Sequence, residues 1–528
     1  MSGGAPARLV VLGVDAAAPA LLERWTGDGT LPNLAALVAR GASGRTGGVE
    51  GFFVGSTWPS MYTGTNPARH GVHYLLQLAP GTYALHGVAH GDFVRREAFW
   101  SAAARAGRRV AVLDVPLTRL DPSLDGVHVV EWGGHDALYG FRTSPPELAD
   151  ELRARHGVHP LGPTCDGVRR TAEDWRAFVD QLTTGVARKG AWTRELLARG
   201  GWDLLMQVFT ETHCVGHQAW HLHDTAHPAH DAAVAAALGD PLRRVYQAVD
   251  AAVGEIVAAA GDDAHVVVFS AHGMSHWYGA QFLLRDILVR LGVTVPLASH
   301  RSGGARRLAA AAWRQLPDAM RSPARAALRA MRPTPRAAPP TLGYDFARSR
   351  CFPLNNGLAV GGIRLNLIGR EPRGVIRPGN EARMFCDDLA GELLAIVDDR
   401  TGRPLVRRVL RTDDLCAGEH RDALPDLLVE WSDDVPTGST ALAGGAASRV
   451  RARSPRVGVV EGANDYARTG EHRPGGWLVA AGPGIAPGRL SREPSPYDLA
   501  PTFAAMLGVE MPECDGEPIA ELARTTQR

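Results

Sequence analysis

Gly55-Ser56-Thr57-Trp58-Pro59-Ser60-Met61-Tyr62-Thr63-Gly64, continued by Asn66-Pro67-Ala68-Arg69-His70-Gly71, is the stretch around which the chain is organised. Proline is comfortable in the first turn of a helix, where its missing N–H has no partner to lose. Pro59 therefore predicts a helix with Thr57 at its N-terminus. Free backbone N–H groups and the helix dipole favour an anion at such a place. A threonine hydroxyl there can act as a nucleophile if its proton is removed. Taken alone, Thr57 reads as an ordinary N-cap, and what lies elsewhere in the chain decides between the two.

Toward the N-terminus, Leu9-Val10-Val11-Leu12-Gly13-Val14 is an unbroken apolar run, the pattern of a strand buried on both faces of a parallel sheet. Asp15 follows at its carboxyl end, the edge at which open α/β sheets bind ligands. Pro19–Trp25 and Leu31–Gly41 read as short helices. Toward the C-terminus, Val110–Val115, Val127–Trp132, Asp203–Phe209 and Val266–Phe269 repeat the strand pattern. Helical spacing runs through Pro146–Arg155, Ala172–Leu197 and Pro241–Ala260. His213 and His217 come just past the strand Asp203–Phe209. Four residues apart, they face one side of a helix or tight turn, within reach of one metal. His272 follows another strand, in Ser270-Ala271-His272-Gly273-Met274, and His472 lies in Thr469-Gly470-Glu471-His472-Arg473.

Composition narrows the classes. The 528 residues are 45% apolar and 21% charged, enough for a large core, and the formal net charge is +1. So small a charge gives no general pull toward a nucleic acid polymer or an anionic membrane. Six cysteines without CxxC spacing argue against a disulfide scaffold and against a cysteine-bound zinc. The apolar run after Arg8 is too short for a secretory segment or a membrane span, so a cytoplasmic protein is expected. Residues 301–340 carry nine arginines against one acid, Asp318. We read an inserted basic helical lid over 281–345, between core parts 1–280 and 346–528. Such a lid either presents a solvated face or supplies arginines to an anionic substrate.

The Thr57 stretch resembles the nucleophile segment of the alkaline phosphatase superfamily, in its type I phosphodiesterase/nucleotide pyrophosphatase branch. The shared pattern is a Thr, an aromatic, a Pro, then Thr-Gly, Asn-Pro and His-Gly. The resemblance runs from Val10 to about Pro518. It implies an α/β/α sandwich with a central, mostly parallel sheet, and hydrolysis of a small anionic phosphoester, first of all a phosphodiester or nucleotide. It also implies two metal sites, mapped to Asp15, Thr57, Ala271 and His272, and to His213, His217 and His472, with Thr57 doubling as nucleophile. Zn²⁺ is the implied cofactor, one or two ions, other divalent metals being possible.

Two positions depart from the pattern. His213 stands where the branch has the Asp of Asp-x-x-Gly-His, and Ala271 where it has the Asp of Ser-Asp-His-Gly-Met. A methyl group coordinates nothing. Three neutral imidazoles leave Zn²⁺ at its full charge and suit an open site that acidifies water. Three readings follow. Two ions bind and Thr57 attacks; or one ion at the three histidines supports altered chemistry such as group transfer; or the chain is a non-catalytic anion-binding descendant. A sulfatase is disfavoured, since that branch needs Cys or Ser at position 57 and Arg at position 61. No glycine-rich dinucleotide fingerprint follows a strand.

Overall fold

In a computed structural model, Leu9–Val14 forms the middle of a nine-stranded sheet. The described residues are 9–88, 94–133, 137–162, 164–297, 342–442 and 445–523. Leu9–Val14 pairs in parallel with Leu204–Phe209 on one side and with His265–Ser270 on the other, Leu9 standing opposite both Leu204 and His265. Val110–Leu113 and Gly126–Val130 extend the parallel set, and Arg142–Ser144 closes that side antiparallel. On the other side Gly476–Ala481 runs antiparallel to His265–Ser270, followed by Ala42–Thr46 and Gly488–Arg489.

Successive side chains of a strand point to opposite faces, and both faces here are covered. Val10, Leu12 and Val14 join a core with the helices Pro19–Gly27, Pro32–Arg40, Ala172–Arg199 and Pro241–Ala260. Leu9 and Val11 join the opposite core with the helices Thr57–Thr63, Phe99–Arg105 and Leu499–Met506. This is the expected α/β/α sandwich. Local chemistry sets its helix ends. Thr171 and Asp174 form a capping box before Ala172–Arg199. Asp240 caps Pro241–Ala260, which has proline in its first turn.

A second apolar core holds a four-stranded antiparallel sheet of Cys351–Leu354, Val360–Leu365, Leu427–Trp431 and Val406–Arg411. The helices Gln281–Arg290 and Asn380–Leu394 pack into it. Residues 298–341, which carry most of the expected basic lid, lie outside the described residues. All six cysteines are free thiols. Among the described residues no helix is long and apolar enough to cross a membrane.

Candidate metal centre

Each sequence-predicted site residue except His472 lies at or just beyond the carboxyl end of a central strand, or on the helix Thr57–Thr63. Asp15 follows Leu9–Val14, and His272 follows His265–Ser270. His213 and His217 lie on the helix Glu211–His223, which starts one residue after Leu204–Phe209. His472 comes from the strand Gly470–Arg473, which pairs antiparallel with Gly273–His276 so that His472 stands opposite Met274.

The three histidines meet. His472 Nε2 lies 3.2 Å from His213 Nε2 and 3.1 Å from His217 Nε2. Two nitrogens bound to one ion at about 2.0–2.1 Å in a tetrahedral arrangement stand about 3.3 Å apart, so the donor set fits a divalent ion such as Zn²⁺. Among the described residues this is the only such group of three or more histidine, cysteine or acidic side chains. The approach depends on two glycines. A Cβ on Gly470 would sit 2.1 Å from the Gly216 carbonyl oxygen, and one on Gly216 would sit 2.9 Å from Met274. With only hydrogens there, the helix rests directly on the strand. The Thr469 N–H then donates to the His217 carbonyl at 2.7 Å. His217 Nδ1 donates to the Gly470 carbonyl at 2.8 Å, which fixes the ring and leaves the Nε2 lone pair directed to the centre. The Gly-His and Gly-x-His spacings are thus one contact seen from two sides.

Asp15 and His272 lie beside this group with a looser arrangement. His272 Nε2 is 3.9 Å from Asp15 Oδ1, and the His272 ring packs against His472 with centroids 4.7 Å apart. Asp15 Oδ1 accepts from Trp58 Nε1 at 2.9 Å, and the Thr212 hydroxyl donates to the Asp15 carbonyl. Burial pushes the His272 pKa down to about 4, so the ring is neutral. Thr57 is the first residue of its helix, and its hydroxyl donates to the Phe53 carbonyl at 2.9 Å. Ala271 is packed in the apolar core with Trp58 and Phe269. Next to His472, burial pushes the Glu471 carboxyl up to about 7 while its Oε1 accepts the His472 N–H.

The structure gives His70 a role that the motif alone does not. Its Nδ1 accepts the Val72 N–H, so Nε2 carries the proton and donates to Ser60 Oγ at 3.0 Å. The His-Gly of the motif therefore braces the Thr57 helix from below. Burial depresses the pKa of His70, and that of His73, to about 3. Their folded values lie below the unfolded value of about 6.5, so the unfolded chain binds protons first as pH falls. Stability is expected to decline as pH drops from about 6.5 toward 3. A urea midpoint that stays flat over that range contradicts neutral burial of these rings.

Sequence reasoning also missed a charged cluster under the start of the ligand helix. Lys189 Nζ lies 2.8 Å from Asp114 and 3.2 Å from Glu211, and Glu211 Oε1 is 3.1 Å from His159 Nε2. Nζ also donates to the Val208 carbonyl and to Thr210 Oγ1. Burial opposes the charge on Lys189, but Asp114 and Glu211 outweigh it and raise its pKa above the usual lysine value. One signal was available: Lys189 is the only lysine in the sequence.

The profile of the family described as type I phosphodiesterase / nucleotide pyrophosphatase matches residues 9–335. No curated protein sequence matches the chain. Among solved structures, the chain is similar to phosphonoacetate hydrolase from Sinorhizobium meliloti 1021 in complex with phosphonoacetate. That match has 15% identity and a TM-score of 0.51, and covers 96% of this chain and 95% of that one. Murine ectonucleotide pyrophosphatase / phosphodiesterase 5 aligns at 12% identity and a TM-score of 0.47, over 97% of each chain. At 15% identity the likeness to phosphonoacetate hydrolase is one of fold. The profile spans well over half of the sequence, and the chain belongs to the type I phosphodiesterase/nucleotide pyrophosphatase family.

Proposed function

We propose that this enzyme hydrolyses small phosphoesters, phosphodiesters or nucleotides first, at a divalent-metal centre held by His213, His217 and His472, with Thr57 as nucleophile. The observation that carries this reading is the convergence of His213 Nε2 and His217 Nε2 on His472 Nε2, each at the spacing that a shared ion gives. When bound, an ion such as Zn²⁺ supplies a compact positive charge for the negative charge that develops on the phosphoryl oxygens. The chain's own residues supply the rest. The Gly470 carbonyl holds His217 in one tautomer. The Thr57 hydroxyl turns away from the Phe53 carbonyl, and its oxygen bonds to phosphorus as the bond to the leaving group breaks. Its proton passes to water, and the departing oxygen takes one in turn. Water then cleaves the Thr57 ester and restores the hydroxyl.

Ala271 favours a second reading within the same class. Its methyl is buried in the core and leaves the Asp15–His272 position short of a ligand. His213, His217 and His472 would then hold the one ion, whose charge would serve hydrolysis or transfer to another acceptor. One substitution separates the two. Under covalent catalysis, Thr57→Ala is expected to lower turnover of bis-(p-nitrophenyl) phosphate at least about a thousandfold, while Thr57→Ser keeps part of it. An unchanged rate in Thr57→Ala moves the chemistry to the single-ion reading.

A further inference from the structure

We propose that Arg468 is an oxyanion-binding residue of the three-histidine centre, oriented for that task by Asp166; the inference rests on the phosphoester reading above. Arg468 precedes Thr469 and Gly470, the two residues whose backbone groups bond His217. The contacts that place the ligand ring therefore also place this arginine. Its guanidinium forks onto Asp166, with Nε to Oδ1 and Nη2 to Oδ2 both at 2.8 Å. Nη1 is turned the other way, 3.5 Å from His217 Nε2, the nitrogen that faces the centre. A ligand bond of about 2 Å keeps that guanidinium nitrogen within about 6 Å of any ion held there, the span of one bridging phosphoryl group.

Asp166 is itself fixed. Gln218, the helix neighbour of His217, donates from Nε2 to Asp166 Oδ1 at 3.2 Å and accepts from Arg169 Nη1 at 2.8 Å. The Arg468 side chain is only 14% exposed, whereas Asp166 is 44% exposed. The cation is thus turned inward and its counter-charge outward. A surface ion pair contributes little to stability and does not need its cation beside a ligand nitrogen. Two positive charges so close repel each other, and an oxyanion lying between them relieves the repulsion. Three neutral imidazoles leave the ion's charge undiminished, which strengthens the demand for an anion. Arginine suits it, because its planar N–H array matches phosphoryl oxygens.

The test uses the zinc-loaded full chain titrated with inorganic phosphate by calorimetry at fixed ionic strength. Arg468→Ala is expected to weaken phosphate binding about ten- to a hundredfold, with zinc content and thermal midpoint unchanged. Arg468→Lys should recover part of the affinity, and free guanidinium should restore part of it to the alanine variant. Asp166→Asn should give a smaller loss, which Asp166→Glu reverses. Arg468→Gln, which keeps side-chain length, is measured beside the alanine variant so that poor folding of one does not decide the outcome. Phosphate affinity within twofold of the parent in both variants, with zinc retained, overturns the inference. Loss of zinc in both also overturns it, since Arg468 would then belong to the scaffold of the metal site. A parent chain that holds zinc but binds no phosphate removes the phosphoester reading itself, and this inference with it.

Discussion

Replacing His217 with alanine is expected to empty the metal centre and to lower phosphodiester turnover at least about a thousandfold. His217 has three jobs. Its Nε2 lies 3.1 Å from His472 Nε2, so it supplies one of the three donors. Its Nδ1–H satisfies the Gly470 carbonyl, and its own carbonyl accepts from Thr469. Loss of an outer partner of a metal ligand typically costs ten- to a hundredfold in affinity, and loss of the ligand itself costs more. Two imidazoles remain, too few for a closed nitrogen set on Zn²⁺. His223 is the control. It lies on the same helix but pairs with Asp240 at 2.8 Å, so His223→Ala should keep both metal and turnover. Zinc per chain by elemental analysis, beside the rate on bis-(p-nitrophenyl) phosphate, checks both variants. A His217→Ala protein that keeps its zinc contradicts the assignment.

Lys189→Met is expected to destabilise the fold by about 3–5 kcal/mol, because it leaves two buried carboxylates without their cation. Asp114 also accepts the Trp132 N–H, and Glu211 opens the ligand helix, so the lysine ties two strand ends to that helix. Arginine is no remedy. A Cβ on Gly133 would lie 3.0 Å from Lys189 Cε, and one on Gly185 would lie 3.1 Å from Glu211 Oε1, so the space fits an ammonium and not a wider planar group. This explains why a chain that uses arginine for every other cationic side chain keeps one lysine. Neutralising the partners as well, with Asp114→Asn and Glu211→Gln, should recover much of the loss, since the uncompensated charge is its cause. Denaturant unfolding of the single and triple variants decides the matter. A loss below about 1 kcal/mol for Lys189→Met shows that the cluster is not held by its charge.

Much of the fold was legible because its signals are local. Leu9–Val14 is apolar at every position, which only a doubly covered strand tolerates in such a sheet. The helix expected over Pro241–Ala260 is found there, with the Asp240 cap, Pro241 and the terminating Gly261 all adjacent in sequence. His213 and His217 were legible through their spacing and their place just past a strand, and His472 through the family resemblance alone. What was not legible depends on distant partners. Gly216 and Gly470 have meaning only against each other, across more than 250 residues of chain. Lys189 reads as one polar position on a long helix until Asp114 and Glu211 are brought beside it. Arg468 reads as one arginine among many until the contact of Thr469 and Gly470 with His217 lays it beside the ligand helix. The second core likewise joins strands and helices separated in sequence, with short strands that carry no strong period of their own.

The most direct test of the central claim is a crystal structure of the zinc-loaded protein with anomalous scattering recorded at the zinc edge. The account predicts a peak about 2.0–2.1 Å from Nε2 of His213, His217 and His472. Any second, weaker peak belongs at Asp15 and His272. A zinc peak at Asp15 and His272 alone, or none near the three imidazoles in a protein shown to carry the metal, would contradict it.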